Sequence, residues 1–458
     1  MSEPGRSVAV IGGGLTGLSA AYDLALAGAT VTLYEQADQL GGLAVGGELA
    51  GYPVEKAYHF IYKTDADIIA LAEELGLGEQ LVFHDSSLAT YVDGRLWPFM
   101  TPLDLLRFKP LAPWDRLRAG ATALYLQRVK RWQKLTRVTA DAWLRRWAGR
   151  RVTDVLWAPL LEGKFDRYFD KVTMAWLWGR IKVRVDSKEA GEVIEKLGYF
   201  EGGFAVLVDS LASRVRELGG DIRVGVSVDE LDHDQGAGGP WLRIEGEIRR
   251  FDAVVCTVPT NVFSRITSSS RHIDPLEREK LEGIDYLGAV VYVFATKEPI
   301  TDYYWHNISE RGAPFVVFLT LTNLVGSEAF GGLHVHYIGD YVPHEHPYFS
   351  MAETDLTDLW KTELAARFDT FDPDDVVDGE LVRLANAQHV VDVGFEDRIP
   401  RHRTSVPGVY LANFTQIYPQ DRGTNYAVAQ GREMATMVLS DLSGPGVDGA
   451  ADPTDAPR

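Results

Sequence analysis

The chain has 458 residues, of which 46% are apolar and 24% are charged, which is ordinary for a globular protein but long for a single compact core. Its one cysteine, Cys256, excludes a disulfide framework and a cysteine-rich metal site. No window reaches the roughly 18 apolar residues of a membrane span, and residues 1–7 lack a signal-peptide core. We therefore expect a two-domain cytoplasmic protein.

The net charge of −19 is distributed unevenly. Residues 101–184 contain 19 Lys and Arg against 7 Asp and Glu, which leaves −31 for the rest of the chain. Eight of the eleven tryptophans fall in or beside this basic block: Trp97, Trp114, Trp132, Trp143, Trp147, Trp157, Trp176 and Trp178. The block could be the solvated face of a helical subdomain, a patch that contacts a membrane surface, or a site for an anionic substrate. Nucleic acid is not expected, because the overall charge is negative and no reader motif is present.

Hydrophobic periodicity and Gly/Pro punctuation predict the elements. In chain order they are strand 8–11, helix 15–27, strand 30–34, helix 65–75, a largely helical region over 101–180, helix 204–218, strands 221–226, 252–258, 288–295, 333–338 and 408–412, and helix 424–440. Residues 443–458 are too polar and too rich in Gly and Pro to order themselves and predict a disordered tail.

Gly12, Gly14 and Gly17 form G-x-G-x-x-G between the first strand and the first helix. Gly12 permits the tight turn, Gly14 lets the backbone approach a pyrophosphate, and Gly17 lets helix and strand pack closely. The free N–H groups of the helix start, at Leu15 and Thr16, would face the phosphates.

Glu35 ends the second strand, 18 residues after Gly17, and Gln36 follows it. A carboxylate at this position accepts hydrogen bonds from ribose hydroxyls and repels the additional phosphate of NADP. The pattern predicts a dinucleotide site, but the glycine motif alone does not distinguish FAD from NAD.

Residues 35–43 (EQADQLGGL) resemble the acidic residue plus double glycine of the amine oxidase and protoporphyrinogen oxidase superfamily. Gly41 and Gly42 would let the backbone pass close to the cofactor. Gln39 and Leu43 stand where the family usually has basic residues. The resemblance implies that this segment, including Leu43, binds FAD.

The resemblance extends over most of the chain. Residues 199–212 resemble the family's glycine-pair segment, and Val228 matches the position whose backbone pairs with adenine. Thr257 and Pro259 match the passage beside the flavin. The overall likeness is to bacterial protoporphyrinogen-oxidase-like proteins, with UDP-galactopyranose mutase as a more distant relative.

Residues 408–431 resemble the C-terminal flavin segment, which implies cofactor contacts for Asn413 and for residues 422–425: Arg422, Gly423, Thr424 and Asn425. In the family the helix start here points at the N1/C2-oxygen edge of the flavin, where it favours reduction. Arg422 would add positive charge there, or would instead form a salt bridge to Asp421 or another acid.

His59, His306 and Tyr337 are the candidate catalytic residues. His59 follows the glycine pair in EKAYHFIY, where it is either functional or a hydrogen-bonded core residue. His306 lies in the aromatic run Tyr304–His306, which is followed by Asn323. These residues could either pack in the core or line a substrate pocket.

His334, His336, Tyr337 and Tyr341 fall at strand spacing, so half of them are expected to face solvent. Cys256 is expected to be a small core residue. Because no cysteine follows it, the resemblance implies non-covalent FAD. No metal site is expected.

The resemblance implies an α/β flavoprotein with a discontinuous Rossmann-type FAD domain (1–85, 198–265 and 395–442). The α+β substrate domain would comprise 86–197 and 266–394, including the basic helical subdomain. The implied activity is oxidation of a small-molecule substrate, anionic or lipid-like, by hydride transfer to FAD. A non-redox sugar mutase and a flavin-binding partner protein without catalysis stay open, as does peripheral membrane contact through 101–184.

Overall fold

The computed structural model describes residues 6–187, 194–234 and 238–444, so the predicted tail lies outside the described residues from 445 onward. The strands are β1 Ser7–Ile11, β2 Thr30–Tyr34, β3 Gly46–Leu49, β4 Tyr52–Glu55, β5 Ile61–Tyr62, β6 Leu81–Asp85, β7 Leu88–Val92, β8 Arg95–Pro98, β9 Lys196–Phe200, β10 Asp221–Arg223, β11 Glu230–His233, β12 Pro240–Ile244, β13 Glu247–Arg250, β14 Ala253–Cys256, β15 Tyr286–Thr296, β16 Trp305–Ile308, β17 Val317–Thr320, β18 His334–Val342, β19 Val376–His389 and β20 Val409–Leu411. The helices are α1 Leu15–Leu26, α2 Ala66–Glu74, α3 Pro102–Arg107, α4 Pro113–Arg128, α5 Ala140–Trp147, α6 Arg150–Val152, α7 Ala158–Phe165, α8 Met174–Asp186, α9 Ala205–Glu217, α10 Thr260–Ile266, α11 Pro275–Glu282, α12 Thr322–Val325, α13 Glu353–Ala365 and α14 Thr424–Leu442.

A parallel sheet with strand order β10-β2-β1-β14-β20 carries the glycine motif. Its central strand β1 pairs Val8 with Val31 on one side and with Ala253 on the other. Helices α1, α9 and α14 cover one face, and the small sheet β11–β13 covers the other. Because both faces are covered at the centre of the sheet, residues 8–11 of β1 and all of β14 are apolar and buried.

The predicted strand 221–226 is wrong at its end, because β10 stops at Arg223. Beyond it the chain leaves the sheet: Gly225 N–H donates to the Ala37 carbonyl (2.7 Å) and Val226 N–H donates to the Glu35 carbonyl (2.9 Å). This departure carries the chain toward Val228 at the edge of the nucleotide site.

A second sheet has the order β19-β15-β18-β17-β16-β7-β8 and is antiparallel except for the β16–β7 pair. One face packs against the core shared with α1 and α9, and the other packs against α13 through Leu356 and Trp360. The expectation that half of the polar residues on β18 face solvent is therefore wrong: His336 and Tyr337 are both fully buried, on opposite faces.

Residues 101–184 are largely helical, as predicted, and α3–α8 form a core of their own. Trp176 and Trp178 are buried in it. Among the described residues, no helix has the length and apolar character needed to cross a bilayer.

The segments predicted for the FAD domain contain all five strands of the parallel sheet. Strand β9 crosses the predicted boundary between residues 197 and 198, and α10 crosses the one between 265 and 266. The division of the chain into two domains stays a prediction.

Candidate active site

A cavity of about 630 Å³ opens at the carboxyl ends of the parallel strands and extends to the second sheet. The loops that follow β1, β2, β14 and β20 all contribute to its wall. Ligands of open α/β sheets bind at this edge, because the strand-to-helix turns expose backbone N–H groups there.

The glycine turn after β1 is held by close packing. Gly12 has a φ of +109°, which favours glycine, and Thr257 donates its hydroxyl to the Ile11 carbonyl at 3.0 Å. A Cβ at Gly17 would lie 1.9 Å from the Gly12 carbonyl oxygen. Gly17 is absent from the cavity wall, so its role is the close helix–strand packing that the sequence predicted rather than a ligand contact.

Gly14 needs its small size for a different reason. Its φ of −75° and ψ of 176° suit any residue, and a Cβ there would come no closer than 3.8 Å to another protein atom. The side chain would instead enter the cavity, beside Gly41 and Gly42. The cavity wall here is main chain without side chains at the N-terminus of α1, and Leu15 and Thr16 also line it. Such a wall fits the pyrophosphate of FAD.

Glu35 lies in the cavity wall beside Gln36. Its carboxylate accepts hydrogen bonds from Gly13 N–H (2.6 Å) and Ala37 N–H (2.8 Å), which fix it at the end of β2. Val228 and Leu43 also line the cavity, and the hydrogen bond from Val226 N–H to the Glu35 carbonyl holds the Val228 segment beside Glu35. The predicted ribose and adenine contacts therefore lie on one side of the glycine turn.

Thr257, Pro259 and Asn413 also line the cavity. The Asn413 side chain is engaged by the protein itself: it donates to the Val258 carbonyl (2.8 Å) and accepts from Thr415 N–H (3.0 Å). Asn413 thus fixes the loops after β14 and β20, and these loops present backbone to the cavity.

The N-terminus of α14 faces the cavity through Arg422, Gly423, Thr424 and Asn425. Asn425 accepts a hydrogen bond from Ile68 N–H at 3.0 Å, which ties α14 to α2. The first N–H groups of a helix have no partner within it, so this end offers donors and partial positive charge to a ligand.

Asp421 sits at the centre of a buried charge cluster that the sequence analysis did not identify. Lys164 Nζ lies 2.9 Å from its carboxylate, Arg180 forms a second ion pair, and the Trp176 indole N–H donates to it at 3.2 Å. Burial by itself raises the pKa of Asp421, but the charges of Lys164, Arg180 and Arg422 outweigh burial and hold that pKa well below its ordinary value.

Arg422 does not form the salt bridge to Asp421 that was considered as an alternative. Within the described residues its guanidinium donates to the Tyr341 hydroxyl at 2.9 Å and lies over the Tyr341 ring, and its buried Nε has no hydrogen-bond partner. Burial raises the pKa of Tyr341, but the charges of Arg422 and Lys164 prevail and lower it to about 8. Burial and the neighbouring Tyr341 raise the pKa of Tyr58 well above its ordinary value.

His59 lies in the cavity wall, and its Nδ1 is 2.7 Å from the Ala57 carbonyl. Burial lowers the pKa of His59 to about 4, so the imidazole is neutral at pH 7. Its ring packs beside Phe204. A neutral imidazole here can donate or accept a hydrogen bond but does not supply charge.

Two of the candidate catalytic residues lie away from the cavity, which corrects that prediction. His306 is on the opposite face of β16, where its Nε2 lies 2.6 Å from the Thr301 hydroxyl, and its neighbours Trp305 and Asn307 line the cavity instead. Tyr337 is fully buried behind the wall and donates its hydroxyl to the Glu55 carbonyl at 2.8 Å.

The residues that sequence reasoning missed are Tyr58, Lys164, Arg180 and Asp421. The excess of cations in 101–184 was the available signal, because two of those cations prove to face the cavity. Nothing in the local pattern distinguishes these two from the exposed cations. Among residues 6–187, 194–234 and 238–444, no group of His, Cys, Asp and Glu is arranged to hold a metal ion.

Comparison with known proteins agrees with this geometry. Residues 15–439 match the family model for flavin containing amine oxidoreductases. The chain is 24% identical over 343 residues to the mitochondrial protoporphyrinogen oxidase of Nicotiana tabacum, covering 65% of this chain and 66% of that protein. It is 25% identical over 298 residues to the coproporphyrinogen III oxidase of Staphylococcus aureus, covering 56% of this chain and 61% of that protein.

The match spans less than two thirds of the length of each of these two relatives. A solved structure of reduced UDP-galactopyranose mutase superposes with a TM-score of 0.75 at 16% identity, covering 99% of this chain and 98% of that chain, which shows a shared fold. Because the family model spans nearly the whole described chain and the cavity fits FAD, the chain belongs to the flavin containing amine oxidoreductase family and its cofactor is FAD.

Proposed function

We propose that this protein is an oxidoreductase that acts on an anionic organic substrate, from which a hydride passes to FAD. The observation that carries the proposal is the charge cluster on the cavity wall: Lys164, Arg180 and Arg422 oppose the single carboxylate of Asp421. The excess positive charge favours a carboxylate or phosphate and disfavours the protonated amine of a typical amine oxidase substrate.

The protein's own groups would bind and orient the substrate. When bound, FAD supplies the hydride acceptor. Lys164 forms an ion pair with Asp421 and lies over the rings of Trp176 and Tyr341. Its ammonium group is therefore already ordered at the cavity wall before a substrate binds. Such preorganised cations hold an anion at low entropic cost, and the apolar walls around them exclude water.

Tyr341 is the side chain best placed to move a proton. Its hydroxyl accepts a hydrogen bond from Arg422, and its lowered pKa allows proton exchange near neutral pH. Loss of a hydride from a C–H bond leaves the substrate short of two electrons, and an adjacent O–H or N–H proton must then leave. Tyr341 would accept that proton as a phenolate or relay it as a phenol.

A second candidate function shares the same cations. They would equally suit the pyrophosphate of a nucleotide sugar, so a mutase reaction without net redox change is the alternative. The two differ in an observable way, because an oxidase substrate reduces the flavin whereas a mutase substrate turns over only with flavin that has already been reduced.

The test is anaerobic mixing of the oxidised holoprotein with candidate substrates while the oxidised-flavin absorbance is followed. Carboxylate-bearing porphyrinogens, the substrates named for the relatives, are compared with putrescine as a cationic amine. Lys164→Met should raise the substrate concentration needed for half-maximal bleaching by about tenfold, as expected for loss of one charge-assisted contact of about 1.4 kcal/mol. Lys171→Met, at an exposed position of the same basic block, is the matched control.

Bleaching by putrescine and not by the anions would contradict the proposal. Turnover of a nucleotide sugar by the pre-reduced protein, with no net change in flavin redox state, would replace it with the mutase reaction.

A further inference from the structure

The second sheet forms one wall of the cavity, and a polar side chain on this wall has a hydrogen-bond donor that the protein does not use. Strand β16 directs Trp305 and Asn307 toward the cavity, while His306 between them faces the other side of the sheet. The Trp305 indole N–H donates to Asn307 Oδ1 at 3.0 Å. An indole nitrogen can only donate, so this contact fixes which way the Asn307 amide is turned. Within the described residues no acceptor takes the Asn307 Nδ2 hydrogens, which are left for a ligand in the cavity.

The distance from Asn307 to the charge cluster follows from the strand register. Asn307 pairs with Val317 on β17, and Val317 pairs with Gly339 on β18. Tyr341 lies two residues beyond Gly339 on the same side of β18, and the centre of its ring is 5.1 Å from Lys164 Nζ. Two strand spacings across and two residues along the strand separate the Cα atoms of Asn307 and Tyr341 by roughly 12 Å. Asn307 therefore lies outside the reach of an anion held by the cations.

The cavity wall between these two polar ends is apolar. Val317 and Val291 lie on either side of Gly339 in the sheet, and both line the cavity. A Cβ at Gly339 would lie no closer than 3.5 Å to another protein atom, so glycine here leaves open space above the sheet rather than relieving a clash. Helix α7 contributes Leu160 to the same cavity, one turn before Lys164. A ligand that spans both ends would place an apolar middle part against these side chains.

The surroundings of Asn307 select a neutral group. Trp305 packs edge-on against Tyr58 and Phe60, and the neighbour of Asn307 on β17 is Val317. Burial raises the pKa of Tyr58 well above its ordinary value, so its phenol is neutral. One neutral N–H donor among such side chains can offset the desolvation of a carbonyl oxygen, but it does not offset that of a carboxylate. This end of the cavity therefore suits an uncharged acceptor.

We infer that Asn307 forms a second substrate subsite, which binds a neutral carbonyl oxygen at the far end of the substrate from its anionic group. The inference rests on the proposed function, because it places the anionic end of the same molecule at Lys164, Arg180 and Arg422. It narrows the substrate class to an elongated molecule with one anionic end, an apolar middle part and a distal ester, amide or ketone oxygen. Asn307 is then a specificity-determining residue, because its donor distinguishes molecules that carry the distal oxygen from those that end in hydrocarbon.

The experiment measures binding rather than turnover. Three acids with the same acyl chain are titrated into the oxidised holoprotein, and each Kd is obtained from the perturbation of the flavin absorbance. Decanoate ends in hydrocarbon, monomethyl sebacate ends in an ester carbonyl, and sebacate ends in a second carboxylate. The ratio of the decanoate Kd to the monomethyl sebacate Kd isolates the distal contact, because the carboxylate end is common to both ligands.

Two variants remove the donor in different ways. Asn307→Asp keeps the shape of the side chain but replaces the N–H donor with an acceptor, and Asn307→Leu removes the donor without adding charge. Gln133→Glu is the matched control, because it makes the same change from amide to carboxylate at an exposed position outside the cavity. Bound flavin and the melting temperature report that each variant is folded, and the leucine variant carries the test if the aspartate variant does not fold.

We expect the wild-type protein and Gln133→Glu to bind monomethyl sebacate about fivefold more tightly than decanoate, which is the effect of one hydrogen bond. Sebacate should bind more weakly than its monomethyl ester. The preference for the ester should disappear in both Asn307 variants.

A wild-type ratio of one, or a ratio that both Asn307 variants retain, would overturn the inference. Tighter binding of sebacate than of the ester would also overturn it, because the subsite would then hold a second anion. In each of these cases the proposed function survives if Lys164→Met weakens decanoate and the ester equally. The absence of binding by all three acids would instead contradict the proposed anionic substrate, and the subsite with it.

Discussion

The two ends of the cavity are built on different physical principles. The nucleotide end consists of backbone from the Gly12–Gly17 turn and the Gly41–Gly42 pair, with the single carboxylate of Glu35. The flavin end is built from buried charged side chains: Lys164, Arg180, Asp421 and Arg422. The first end depends on the absence of side chains, and the second depends on their charges.

This difference determines how each end should respond to change. Added volume at the nucleotide end should exclude the cofactor while leaving the fold intact. A change of charge at the flavin end should alter stability, ionisation and redox potential while leaving cofactor binding in place. Four substitutions, in order of decreasing expected effect, test this separation.

Gly14→Val should cause the largest effect. Valine suits the φ and ψ of this residue, and its Cβ would lie no closer than 3.8 Å to another protein atom, so the side chain would occupy the cavity where the pyrophosphate fits. We expect the apparent Kd for FAD to rise at least about a thousandfold, or about 4.1 kcal/mol. Flavin fluorescence titration of the apoprotein measures it.

Gly78→Val is the matched control, because Gly78 is exposed, lies outside the cavity and has only ordinary contacts to Glu73. Unchanged FAD affinity in Gly14→Val would show that the pyrophosphate does not lie at this turn.

Asp421→Asn should destabilise the fold by about 3 kcal/mol at pH 7, because it leaves buried cations without their carboxylate. The side chains of Asp421 and Lys164 are each only 13% exposed. The folded-state pKa of Asp421 is depressed below its ordinary value of 3.8, so its stabilisation is complete above that pH and is lost as the pH falls below it. The destabilisation should therefore be smaller at pH 3 than at pH 7.

Denaturant unfolding at the two pH values measures this effect, with Asp397→Asn as the comparison. Asp397 pairs with Arg137 at the surface, where both side chains are 62% exposed. Such an exposed pair is screened by solvent and contributes little to stability. Equal losses in both variants would mean that the buried cluster has no special energetic role.

The same contrast explains what the sequence could predict. The nucleotide end lies mostly within residues 12–43. The need for glycine at each motif position there follows from local backbone geometry, which a single sequence reveals. The parallel sheet and the glycine turn were therefore predicted at nearly the correct residues, apart from the end of β10.

The flavin end brings together Tyr58, Lys164, Arg180, Tyr341 and Asp421, which are far apart in sequence. Their proximity depends on how α7 and α8 pack against β18 and the start of α14, and periodicity does not encode that packing. The prediction that His306 and Tyr337 are catalytic candidates failed for a related reason. Both faces of the second sheet are covered by protein, so residue type alone did not show which side chains face the cavity.

Tyr341 should ionise near pH 8, because its pKa is lowered to about 8 from the ordinary tyrosine value of 10.0. The phenol is neutral below that pH and becomes a phenolate above it, because Arg422 and Lys164 stabilise the anion. Difference absorbance of tyrosinate during a pH titration should show this step. It should vanish in Tyr341→Phe and persist at a higher pH in Tyr58→Phe, which removes one stabilising hydrogen bond. A titration near pH 8 that survives in Tyr341→Phe would assign it to another group.

Arg422→Gln should produce the smallest effect, a decrease in the flavin midpoint potential of roughly 30 mV, or about 1.4 kcal/mol for a two-electron couple. Reduction adds negative charge to the flavin, and Arg422 at the positive end of α14 stabilises the reduced form more than the oxidised form. Tyr341→Phe separates charge from structure, because it removes the hydrogen bond to Arg422 but retains the guanidinium. Spectroelectrochemical titration should therefore show a decrease in Arg422→Gln and little change in Tyr341→Phe. Equal decreases in both variants would indicate that packing at the start of α14, rather than the charge of Arg422, sets the potential.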